Sequence, residues 1–196
     1  MTQLFDLQSI NYYEQHSEVF VDNTVEVDMS SIYSKFLESL PHGGRLLDLG
    51  CGSGRDAKNF QKLGYDVTAI DASKSMVSQT KMYFDGDVRL MRFDQIDFHE
   101  EFDGIWACAS LIHVPRAGLF KIFDLCISAL KPGEKIYLSF KYGTKERFSN
   151  GRHFTDMDIE QLGTLFHAFE HTFWITEDLR ATRQNESWLN ALVNKP

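Results

Sequence analysis

The sequence predicts an α/β domain, a mostly parallel sheet with helices on both faces, and three observations lead there. The apolar run Arg45-Leu46-Leu47-Asp48-Leu49 reads as a buried strand, and glycines at alternate positions follow it: Gly50, Gly52 and Gly54. A helical pattern, Ala57, Phe60, Gln61 and Leu63, begins at once. Further runs of strand length alternate with helical patterns down the chain. Strand, glycine loop and helix build a nucleotide pocket in an open α/β sheet. Glycine lets a ligand approach the backbone, and the helix N-terminus offers free N–H groups to an anion.

Bulk properties narrow the partners. At 196 residues with 16 Phe, the chain suits one domain with a real core. Its formal net charge of −8 lacks the broad basic footprint of a nucleic-acid binder, so such a partner is disfavoured. The three cysteines, Cys51, Cys108 and Cys126, form no C-x-x-C pair, and an odd number speaks against a disulfide framework. No apolar stretch has membrane-spanning length and no signal peptide is visible. The expectation is a cytoplasmic protein with no membrane partner and no metal. The oligomeric state stays open.

The elements follow in order. Residues 1–24 carry aromatics without a strong period, Tyr12, Tyr13 and Phe20 among them. They form either a helix packed on the body or a lid. Residues 25–40 read as an amphipathic helix through Met29, Ile32, Tyr33, Phe36, Leu37 and Leu40, and Pro41-His42-Gly43-Gly44 stops it. Gly64 caps the helix after the glycine loop. The second strand, 66–71, ends in Asp71, at the carboxyl end of the sheet where ligands bind. Asp71 either accepts hydrogen bonds from both ribose hydroxyls or caps the helix starting near Ser73. Met76 packs on adenine or in the core. The third strand, 88–93, delivers Asp94, and the fourth, 102–109, leads to His113.

A helix over 116–130 precedes the turn Leu130-Lys131-Pro132-Gly133 and a fifth strand at 135–140. Residues 144–153 read as a polar loop from the ligand end of the sheet. Thr155 is the expected N-cap of the next helix, with Asp158 in a capping-box position. With Lys141, Tyr142, Arg152 and His153, that loop either lines an acceptor pocket for an anionic molecule or is solvated surface. The last two strands are placed at 170–177 and 186–193, joined by 178–185.

Asp48-Leu49-Gly50-Cys51-Gly52-Ser53-Gly54 fits D-x-G-x-G-x-G at every fixed position. It resembles motif I of class I S-adenosylmethionine (SAM)-dependent methyltransferases. Phe93-Asp94-Gln95-Ile96-Asp97-Phe98 resembles their acidic motif after strand three, and Leu-Lys-Pro-Gly before strand five is frequent among them. The resemblance covers nearly the full length, most specifically 45–140. It implies a Rossmann-like, mostly parallel seven-stranded sheet with an antiparallel last strand. It divides one domain into a lid or cap (1–40), a SAM-binding core (45–140) and an acceptor-side loop with closing strands (141–196). The Gly-Cys-Gly-Ser-Gly-Arg-Asp loop is also similar to small bacterial methyltransferases of the tellurite-resistance type.

The resemblance implies SAM as cofactor and S-adenosylhomocysteine (SAH) as product. Gly50, Cys51, Gly52 and Gly54 would give backbone contacts, Arg55 would pair with the SAM carboxylate, and Asp48 would order the loop. Asp71, followed by Ala72, would hold ribose. Asp94 would hold the adenine amino group, and the backbone of Gln95 a ring nitrogen. Ala109 would permit close approach of the methionine part, and Tyr13 would touch the cofactor from the lid. His113 stands near the methyl group, as a general base or as a turn residue. Ala109-Ser110-Leu111-Ile112 replaces the N/D/S-P-P-aromatic motif of amino-directed DNA methyltransferases. The expected function is methyl transfer to a small-molecule acceptor. The alternative is a SAM-binding regulatory or interaction protein without transfer activity, and the G-x-G-x-G spacing disfavours an NAD-linked enzyme.

Overall fold

The computed structural model describes residues 4–180 and 186–196. Seven strands form one sheet in the order β3-β2-β1-β4-β5-β9-β8. They are β1 (Arg45–Leu49), β2 (Asp66–Asp71), β3 (Asp87–Leu90), β4 (Phe102–Ala107), β5 (Leu130–Lys141), β8 (Glu170–Glu177) and β9 (Ser187–Asn194). β1 to β5 pair in parallel, and β9 runs antiparallel to both β5 and β8. The chain winds outward from β1 to β3, then returns to β4 on the other side. This reversal opens a crevice beyond the carboxyl ends of β1 and β4.

The pleat sorts the core into two layers. Leu46, Val67, Ala69, Trp106 and Tyr137 face α2 (Ser30–Leu37), α3 (Arg55–Lys62) and α4 (Lys74–Tyr83). Their neighbours Leu47, Ile70, Ile105, Ile136 and Leu138 face α5 (Arg116–Ala129) and α6 (Ile159–Leu165). Gly64 ends α3 in the left-handed region: its N–H bonds Gln61 and that of Tyr65 bonds Phe60, a Schellman closure.

Some local expectations change. The helix expected at 25–40 is confined to α2, and residues 7–22 form a separate helix, α1 (Leu7–Asp22), kinked at His16. The polar loop expected at 144–153 is mostly a hairpin of β6 (Glu146–Ser149) and β7 (Arg152–Thr155). Asn150 and Gly151, both at positive φ, make its two-residue turn, and the Asn-Gly pair was its unread signal. Thr155 is therefore not a helix cap; it ends β7, and its hydroxyl donates to the Val114 carbonyl. Asp158 caps α6, accepting from Gln161 N–H at 2.8 Å while the Gln161 side chain accepts from Asp158 N–H. In the connection 178–185, residues 181–185 lie outside the described residues.

Candidate active site

A cavity of about 230 Å³ opens at the carboxyl ends of β1, β2 and β4, roofed by α1. Its floor is the glycine loop. Gly50 and Cys51 N–H both donate to the Ile70 carbonyl, tying the loop to the end of β2. Gly50 sits at φ 80°, and a Cβ there would lie 2.6 Å from Ser110 Cβ, so only glycine fits. Asp71 closes β2 with one carboxylate oxygen accepting Gly52 N–H (3.1 Å) and the other Ser73 N–H (2.9 Å). Ser73, not Asp71, accepts from Met76 N–H and caps α4. Burial pushes Asp71 up to about 6 against the pull of those N–H donors. Each of its oxygens keeps acceptor capacity for a ligand hydroxyl.

Beneath the loop lies an ionic knot. Burial would raise the Asp56 carboxyl. Arg55, Tyr33 and Trp106 outweigh it and hold the group below its usual range. Arg55 grips it with Nε (2.6 Å) and Nη2 (2.9 Å), the Tyr33 hydroxyl donates at 2.5 Å, and the Trp106 indole at 2.8 Å. Asp48, buried nearby with one oxygen unpartnered, is driven well above the carboxylate range by burial and by Asp56. The two acids are thus pushed in opposite directions, Asp56 down by its three donors and Asp48 up by burial and by the neighbouring Asp56.

The roof helix α1 is held to the body through polar bonds. Glu14 on α1 caps the N-terminus of α4, accepting Lys74 N–H and, through its second oxygen, Ser75 N–H (3.1 Å) and the Ser75 hydroxyl (2.6 Å). The Ser9 hydroxyl accepts His153 N–H. Deeper in, His113 Nδ1–H donates to the His153 carbonyl at 2.7 Å, because a carbonyl only accepts. Nε2 is then the acceptor, and the Tyr13 hydroxyl donates to it at 2.9 Å. Burial lowers His113 to about 4, so the ring is neutral at pH 7. Burial likewise raises Tyr13, opposed by Arg152, whose Nη1 lies 3.4 Å from the phenol oxygen.

The far wall is aromatic and cationic. The Phe154 ring is flanked by Lys141, Arg147 and Arg152 at 5.2, 4.9 and 5.1 Å. Trp188 donates from its indole to Asp178, which also holds Arg180.

Residues 46–133 match the methyltransferase domain family. The ubiquinone biosynthesis O-methyltransferase of Nitrobacter winogradskyi is 38% identical over 96 residues, 46% of this chain and 36% of that protein. Its Xanthomonas axonopodis pv. citri counterpart is 32% identical over 116 residues, 56% and 48% of the two chains. The match spans less than half the length of these curated relatives. The 1,6-didemethyltoxoflavin-N1-methyltransferase of Burkholderia thailandensis, solved with 1,6-didemethyltoxoflavin and SAH, superposes with a TM-score of 0.76 at 18% identity. That superposition covers 95% of this chain and 85% of the other. Over residues 46–133 the chain is thus similar to the methyltransferase domain family, and the described fold is that of the superposed methyltransferase. The [4+2]-cyclase SpnF superposes on this chain too, with a TM-score of 0.72 at 15% identity over 100% and 99% of the chains, so the fold by itself does not name a reaction.

Within this fold the expected site residues divide. Tyr13, Gly50, Cys51, Gly52, Arg55, Asp71, Ala72, Met76, Ala109, His113, Lys141 and Arg152 line one cavity. Asp48 and Gly54 stand behind the loop wall. Asp94 turns away to pair with Arg92 at 2.9 Å, and the Gln95 side chain accepts Arg92 N–H. At that edge Phe93 and Arg92 face the cavity instead. Tyr142 is 47% exposed, and His153 points its ring to Glu146 inside the hairpin. Ala109 adopts φ 51°, with its N–H on the Ser139 hydroxyl. Sequence reasoning missed Glu14, Ser9 and the wall from β8 and β9, whose roles depend on long-range packing that no local motif announces.

Proposed function

We propose that this cavity binds SAM and that the protein transfers its methyl group to a small-molecule acceptor. The observation that carries the reading is Asp71, a carboxylate held by the glycine loop at the end of β2, with acceptor capacity facing the cavity. The residues present fit the cofactor. Asp71 offers acceptors for ribose hydroxyls, Met76 and Phe93 offer apolar surface for a base, and the glycine floor leaves room for backbone approach. In this reading the ring edge is met by Phe93 and its neighbours rather than by the Asp94 carboxylate.

SAM supplies an electrophilic sulfonium methyl. The chain's own part is to align the acceptor, exclude water under α1 and receive a proton. Neutral His113, fixed as its Nδ1–H tautomer, presents Nε2 at the Tyr13 hydroxyl as the proton acceptor. Arg55 stays engaged with Asp56 and the Thr24 carbonyl, so it anchors the end of the lid segment to α3. A small acceptor suits a cavity of this size, and the acidic net charge disfavours nucleic acid. Among the described residues, no helix is long and apolar enough to cross a membrane. SAH release in the presence of candidate acceptors tests transfer; SAM binding without turnover of any acceptor would favour a binding-only role.

A further inference from the structure

Five cations line the cavity: Arg55, Arg92, Lys141, Arg152 and Arg180. Four face a carboxylate: Arg55 with Asp56, Arg92 with Asp94, Lys141 with Glu186, and Arg180 with Asp178. Among the described residues, Arg152 has no carboxylate within ion-pair distance. Among the described residues its side chain makes one hydrogen bond, the 3.4 Å contact from Nη1 to the Tyr13 hydroxyl, and its buried Nε has no partner. The residue is only partly buried, but its Nε is sealed from water with no acceptor, so the guanidinium faces the cavity with unused donors and no counter-charge.

Arg152 is also rigidly presented. It opens β7, directly after the Asn150-Gly151 turn. The guanidinium lies 4.2 Å from the Tyr12 ring centroid and 5.1 Å from that of Phe154, so aromatic faces fix its plane. The hairpin is bolted to the segment after β4 by His113 to the His153 carbonyl and by Thr155 to the Val114 carbonyl. The fork is therefore held at a fixed position beside the Tyr13–His113 pair. Phe154, Trp188, Ile112 and Val114 give this end of the cavity apolar walls.

We infer that Arg152 is the anion-binding residue of the acceptor subsite, and that the acceptor is a small aromatic or otherwise apolar acid whose carboxylate or phosphate pairs with it. The inference rests on the methyltransferase reading. Phe154 packs directly on His113, with ring centroids 5.1 Å apart, so an anionic group on the fork would place the rest of the acceptor in the cavity beside the Tyr13–His113 pair, not behind it. Bidentate geometry would fix its orientation there.

The test is calorimetric titration of the SAH-loaded protein with benzoate, 4-hydroxybenzoate and phenyl phosphate. Benzamide and 4-hydroxybenzamide serve as uncharged matches. At least one anion is expected to bind about tenfold or more tighter than the amides, a discrimination of about 1.4 kcal/mol. Arg152→Met should abolish the preference, and Arg152→Lys should keep part of it because the charge remains. Thermal unfolding of both variants checks that they fold. A stronger response to the carboxylates or to phenyl phosphate identifies which acid the site takes. Equal binding of anions and amides, no binding of any anion to the SAH-loaded protein, or an undiminished preference in folded Arg152→Met would overturn the inference. Failure of SAH itself to bind the wild type would overturn the cofactor reading, a distinct result visible before any acid is added.

Discussion

The Tyr13 hydroxyl donates to His113 Nε2 across 2.9 Å, joining the lid helix to the segment after β4 over 100 residues of sequence. The bond decides the imidazole's tautomer together with the His153 carbonyl, and it closes the cavity over the glycine loop. Phe20, two turns further along α1, rests 3.1 Å from where a Gly52 Cβ would stand. The lid is thus seated on the cofactor loop and on the candidate base at once.

Removing that bond should loosen the lid. Tyr13→Phe keeps the ring and deletes the donor, at a stability cost of about 1 kcal/mol. Amide hydrogen exchange should accelerate across α1 while β1 and β4 stay protected. Unchanged exchange in α1 would show that the lid is held by other contacts.

The Glu14 latch gives a second handle on the same helix. Glu14→Ala deletes three hydrogen bonds to the first turn of α4, including both backbone N–H contacts. The expected loss is about 1–2 kcal/mol, typical of removing a helix cap, read as a lower midpoint in urea. Glu14→Gln should lie between the two, because an amide oxygen still accepts.

His113 should be neutral at pH 7. Burial lowers it to about 4, so its proton-coupled resonances should titrate well below the unfolded value of about 6.5. The sign follows from linkage: the unfolded chain takes a proton first as pH falls, so stability drains between about pH 6.5 and 4. His113→Gln should flatten that part of the acid-unfolding profile. A His113 titration near 6.5 in the wild type would contradict the buried, neutral ring.

The parts legible in the sequence were those written locally. Asp48 to Gly54 announced the loop, and Asp71 at the end of β2 announced the acid beside it. The runs at 45–49 and 102–109 announced strands, and it is the fold that sends Leu46 and Trp106 to one face and Leu47 and Ala107 to the other. What escaped was set by distance in the chain. Nothing near Glu14 marks Ser75 as its partner. Asp94 read as a cavity acid, but Arg92, two residues earlier, takes its carboxylate. The hairpin at β6 and β7 was readable from Asn150-Gly151, yet the polar residues around it pointed to a loop. The contact of its Arg152 with Tyr13 spans 139 positions, which no local pattern marks.

The most direct measurement is calorimetric titration of the wild type and Asp71→Asn with SAM and SAH across pH 5 to 8. Asp71 is pushed up to about 6, so wild-type affinity should be full above that value and fall as the carboxylate takes a proton below it. Asp71→Asn should bind about 10–100-fold more weakly at pH 8, the loss of hydrogen bonds to a charged acceptor, and should show little of the pH dependence. Micromolar binding with that pattern is the predicted result. Undiminished, pH-independent affinity in Asp71→Asn, or no binding of either ligand by the wild type, would contradict the placement of the cofactor on which the account depends.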